Sequence, residues 1–100
     1  MTASVRVKGG SLYLTREVYD LYFAGLEGVI LLRRDNDLLI LPVRNTAAGG
    51  YLLKLRNSAG DRVVNAADFF RAQAIADESE LILDVVWSSE RGGLVAAAAL

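Results

Sequence analysis

The stretch Arg62–Ile75, RVVNAADFFRAQAI, decides how the rest of the chain is read. It follows the turn residues Asn57-Ser58-Ala59-Gly60-Asp61 and passes a short β-branched pair, Val63-Val64, directly to a helix start. Asn65 is the expected N-cap, and Asp68 three residues later suits a variant capping box, in which a carboxylate reaches back to an orphan amide. Phe69 and Phe70 open the apolar face of that helix.

A fainter copy lies earlier in the chain, in GGSLYLTREVYDLYFAGL, Gly9–Leu26. There Leu12-Tyr13-Leu14 reads as a strand, Thr15 as an N-cap, and Glu17 as a carboxylate at the positive end of a helix dipole. Val18, Leu21 and Tyr22 recur at helical spacing, and Gly25 is placed to stop the helix. An ungapped offset of 51 sets Val63 under Leu12, Asp68 under Glu17, Phe69 under Val18, and Leu81-Ile82-Leu83 under Ile30-Leu31-Leu32. Acid falls on acid and apolar on apolar, which points to internal duplication.

The elements on either side repeat in the same order. Val5-Arg6-Val7 alternates apolar with charged and meets Gly9-Gly10, a strand entering a turn. Val29-Ile30-Leu31-Leu32 and Leu38-Leu39-Ile40-Leu41 are apolar throughout and flank the turn Arg33–Asp37, so they form a hairpin that Pro42 helps to end. Strands so apolar are expected to be buried on both faces or to lie at a subunit seam. In the second half a strand is expected at Tyr51–Leu55 and another through Leu81–Trp87. The closing run Leu94–Leu100, LVAAAAL, is either a barrel strand or a tail that docks in a partner's groove. The expected fold class is mainly β with short helices. It is one domain, residues 1–100, built of two tandem β-β-α-β-β repeats at 3–43 and 51–100 with the linker 44–50 between them.

At 100 residues the chain supports one core and not two, so the repeats must share it. A hydrophobic fraction of 53% is high for this size and favours a homo-oligomer, in which a second subunit closes part of the surface. With no cysteine and no histidine, disulfides, thiolate metal sites and the commonest general base are excluded. No enzyme and no cofactor is expected. Asp77, Glu78 and Glu80 read as a solvated loop. No apolar run approaches the roughly 18–20 residues of a spanning helix, and MTASVRVKGG lacks a signal core, so a cytoplasmic protein without a membrane partner is expected. The net charge is −1, with +1 in residues 1–50 and −2 in the remainder, so attraction to phosphate must come from local clustering.

RVVNAADFFRAQAI resembles the hallmark segment of the AbrB/SpoVT and MraZ-like swapped-hairpin proteins. In that segment a glycine turn leads to arginine, β-branched residues, proline, an acidic residue, an aliphatic residue and a short helix. Arg62, Val63, Val64, Ala67, Asp68, Phe69 and Ile75 carry the resemblance, and Leu12, Leu14, Glu17, Val18, Gly25 and Leu26 repeat it more loosely. The family's proline is absent from both copies, replaced by Ala66 and Thr15. The resemblance implies an AbrB-like β-barrel of intertwined hairpins, formed within the chain or by dimerisation. It also implies a small DNA-binding transcriptional regulator or antitoxin-type protein that contacts double-stranded DNA through basic side chains of the first strands and turns. Those positions here are Arg6, Lys8, Arg56 and Arg62. The alternative is an assembly subunit that keeps the barrel and binds a protein partner.

Overall fold

The computed structural model describes residues 3–100. Among them are nine strands and two short helices: β1 (Ala3–Lys8), β2 (Ser11–Leu14), α1 (Arg16–Tyr22), β3 (Gly28–Arg34), β4 (Asp37–Val43), β5 (Tyr51–Leu52), β6 (Lys54–Leu55), β7 (Arg62–Asn65), α2 (Ala67–Ala72), β8 (Glu80–Ser88) and β9 (Gly93–Ala96). The strands are antiparallel throughout, in the order β5-β3-β4-β9-β8-β1-β2-β7-β6. The two ends of that order, β5 and β6, are consecutive pieces of one stretch of chain. The sheet therefore comes round almost to closure as a barrel, which leaves little free strand edge.

The expected single strand Tyr51–Leu55 is the piece that closes the barrel, and for that reason it breaks at Leu53. Tyr51 and Leu52 pair with Val29 and Gly28, whereas Lys54 and Leu55 pair with Val63 and Arg62. Between them the Leu53 N–H donates to the Glu27 carbonyl at 2.8 Å.

Alternation sets what the barrel holds. Val5, Val7, Leu12, Leu14, Val29, Leu31, Leu38, Ile40, Val64, Val85, Leu94 and Ala96 all point inward and are buried. Two of the pairings lie at opposite sides of the barrel, Leu12 against Val64 and Leu39 against Val95. Because β2 and β7 are antiparallel, the helices that follow them start at opposite ends of the barrel. Val18 and Phe23 from the first, and Phe70 from the second, join the core there. Gly10 permits the tight entry to β2: its φ is +77°, and a Cβ would lie 2.8 Å from Ala67 Cβ.

Several local expectations hold and others are corrected. Thr15 caps α1, its Oγ1 accepting from the Val18 N–H at 3.3 Å. Asn65 does not cap α2, because Ser11 Oγ donates to its Oδ1 at 2.9 Å, and the N-cap is Ala66 with no side-chain bond. Asp68 accepts from the Tyr51 hydroxyl at 3.1 Å instead of closing a capping box. Pro42 lies inside β4, opposite Val29, and does not end it. In the closing run Gly93–Ala96 is a barrel strand, and Leu100 is tied back through its N–H to the Asn36 carbonyl at 2.9 Å.

Candidate functional site

On the outside of the barrel, the strand register lines up one row of side chains across five strands. Lys54 lies opposite Val63, Val63 opposite Tyr13, Tyr13 opposite Arg6, and Arg6 opposite Ile82. Arg6 alternates with buried Val5 and Val7, and Tyr13 with buried Leu12 and Leu14, so the register turns the row outward. Tyr13 is its centre. The Arg6 guanidinium carbon lies 5.1 Å from the ring centroid, and Arg56, from the loop after β6, reaches the same ring at 4.7 Å. Each such contact is worth about 0.5–1 kcal/mol at an exposed site, enough to restrict two otherwise mobile cations. The Arg56 guanidinium makes no ion pair or side-chain hydrogen bond among the described residues and keeps its donors for a ligand, whereas Arg6 shares one with Glu80.

The loop that delivers Arg56 is pinned at its far end. The Arg56 N–H donates to the Asp61 carbonyl at 2.8 Å, and the Asp61 N–H to Asn57 Oδ1 at 3.1 Å. The Asp61 carboxylate accepts from the Asn57 amide and from the Arg16 N–H, the latter an orphan donor of the first turn of α1. These bonds, the Asn57 one foremost, hold its pKa below the usual carboxylate value, and the Arg56 charge adds to the effect. Between loop and strands lies a depression of about 290 Å³ lined by Arg6, Tyr13, Arg56, Asp61 and Ile82. Ile82, 72% exposed, forms its apolar edge.

The four predicted contact residues are thus not equivalent. Arg6 and Arg56 converge on Tyr13. Lys8 is exposed one outward position along β1, opposite Ser11 and Glu80. Arg62 is held elsewhere: its Nη1 donates to the Gly60 carbonyl at 2.6 Å, and its guanidinium lies 3.9 Å from the Tyr19 centroid. Acidic groups intrude on this face, Glu80 Oε2 being 3.6 Å from Arg6 Nη1. Sequence reasoning missed Lys54 and Tyr13. Alternation in YLLKL and SLYL marks both as outward, but only the pairing of β2 with β7 and of β7 with β6 brings them together.

The opposite side of the barrel has a different surface. Leu32 pairs with Leu39, Leu39 with Val95, and Val95 with Val86, again all outward. Ile30 and Leu41 extend the patch in the next row. Among the described residues, no three acidic side chains gather as a metal-binding group, and no helix is long and apolar enough to cross a membrane. Comparison of the chain with protein-family models, curated proteins and solved structures returns no match.

Proposed function

We propose that the chain is a swapped-hairpin barrel of two tandem β-β-α-β-β repeats and that it binds double-stranded DNA through the Tyr13 face, as a small regulator or antitoxin-type protein. The observation that carries the DNA reading is the convergence of Arg6 and Arg56 on one exposed aromatic ring, with Lys8 and Lys54 on the same face. Cations fixed on a strand surface suit phosphate contacts, and a stacked guanidinium with free edge donors suits a base edge. The repeat reading is supported by the self-matching pairs Leu12–Val64 and Leu39–Val95, and by buried positions that recur in order: Leu14 and Ala66, Val18 and Phe70, Leu31 and Val85, Leu38 and Leu94. Every pair departs from the ungapped offset of 51: Val64 and not Val63 takes the place of Leu12, Ala66 and Phe70 are likewise one residue out of step, Val85 three and Leu94 five.

The test is fluorescence anisotropy with a labelled random-sequence duplex, titrated from 50 to 200 mM salt. About three phosphate contacts predict a log–log slope near −2.7, a loss of roughly 40-fold over that range. Arg56→Ala and Lys8→Ala should each reduce the slope by about one. Absence of binding at the lowest salt overturns the DNA reading. The second reading, an assembly subunit that binds protein, is favoured by the apolar row Leu32–Leu39–Val95–Val86, and it stands if DNA binding is absent.

A further inference from the structure

We propose that the outer face of β3, β4, β9 and β8 docks a second copy of this chain, because its apolar row ends in two unpaired opposite charges that a two-fold axis would bring together. The row Leu32, Leu39, Val95, Val86 carries no charge, and its ends are open to solvent, Leu32 at 41% and Val86 at 65% exposed. Leu39 in the middle is 4% exposed, covered although it points away from the core cluster. One row of apolar side chains, extended by Ile30 and Leu41 and flanked by polar ones, has the anatomy of an interface.

The charges identify the occupant. The strands β3 and β8 run in opposite directions within the sheet, so Arg34, two residues after Leu32, and Asp84, two before Val86, lie on the same side of the row at its two corners. Both are exposed, and neither makes an ion pair or side-chain hydrogen bond among the described residues. Asp37, between them, is already committed to Arg91 and to the Ala98 N–H. A two-fold axis parallel to the strands, lying over the junction of β4 with β9, would set β3 of one copy over β8 of the other. Leu32 then meets Val86 and Arg34 meets Asp84, each twice, while Leu39 is already covered within its own chain. An isologous interface requires this self-complementarity, and a heterologous partner would not.

Four strands at about 4.8 Å spacing and three outward rows at about 7 Å bound the contact at roughly 300–400 Å² per copy, an upper limit because Leu39 is already covered. That is below the ~800 Å² of a standard interface, so the dimer should dissociate on dilution through the micromolar range. Sedimentation velocity of the full chain from about 1 to 500 µM should show a reversible rise from 10.8 kDa towards twice that mass. Val86→Lys, at an exposed site, should shift the midpoint at least tenfold to higher concentration while the far-ultraviolet spectrum and melting curve stay unchanged. Arg34→Asp and Asp84→Arg should each weaken association, and the two combined should restore it. A monomer at every concentration, a dimer indifferent to Val86→Lys, or singles that weaken without rescue by the double variant would each overturn the proposal. The Tyr13 row and the apolar row adjoin at β8, where Asp84 lies between Ile82 and Val86, so the anisotropy titration is paired with Arg34→Asp, on the far strand β3, to keep the two tests separate.

Discussion

On one side of this barrel the outward row reads lysine, valine, tyrosine, arginine across β6, β7, β2 and β1, and on the other it reads leucine, leucine, valine, valine across β3, β4, β9 and β8. The inward residues beneath the two rows are alike, Leu12 and Val64 under the first and Leu38, Ile40, Leu94 and Ala96 under the second. A closed antiparallel sheet fixes only its inner positions; the outer ones are free to differ, because no second layer covers them. The charged row is shaped by cation–ring contacts and the loop that supplies Arg56. The apolar row is covered within the chain at Leu39 but open at Leu32 and Val86, and this difference is what separates a face suited to an anionic ligand from one suited to another protein surface.

The largest expected effect tests whether the two faces share one cooperative core. Leu12→Ala and Leu38→Ala, both fully buried, should each cost about 3 kcal/mol in urea denaturation, with a single transition. A second transition in either variant would mean that the halves unfold separately and that the faces belong to independent units.

A smaller effect separates the faces from each other. Tyr13→Ala removes the ring on which Arg6 and Arg56 rest and should weaken duplex binding about tenfold, in line with two contacts of ~0.5–1 kcal/mol each. Sedimentation should not change, whereas Val86→Lys should do the reverse. Either variant altering both properties would erase the distinction.

The smallest effect concerns pH. Asp37, near the apolar row, and Asp61, at the charged row, both sit below their ordinary value of 3.8, the first chiefly through the Ala98 N–H and the second chiefly through Asn57. A depressed carboxylate stabilises the fold above its unfolded pKa, and the contribution disappears as pH falls through the folded one. Thermal melts should therefore be flat from neutrality down to about pH 4 and fall below it, with Asp37→Asn and Asp61→Asn each flattening the acid limb. Tyr51 has the opposite sign: burial first, then its bond to Asp68, raises its pKa above 10.0. Its contribution is intact below pH 10.0 and fades as pH climbs through the higher folded value.

Much of the fold was legible because it rests on neighbours in sequence. Alternation in Val5-Arg6-Val7 and Leu12-Tyr13-Leu14 gave the first hairpin, and Thr15 gave the start of α1. Asn65 failed as a cap because Ser11, distant in sequence, binds its side chain. The candidate site was half legible: Arg6, Lys8 and Arg56 were expected on the first strands and turns, while Tyr13 as the common platform of Arg6 and Arg56 and the retention of Arg62 on Tyr19 were not. Ring contacts between strands depend on register, which no single strand contains.

The sequence by itself determined that the protein is mainly β, that it has no histidine or cysteine chemistry, and that its strands β3 and β4 are apolar on both faces. Local propensity and alternation act within a few residues, and they suffice for those conclusions. Only the tertiary structure decided that Tyr51–Leu55 closes the barrel, that Arg6 and Arg56 meet over Tyr13, and that Arg34 and Asp84 mark the two corners of one apolar row. Each of these depends on long-range pairing, in which a shift of one residue would turn the outward side chains inward.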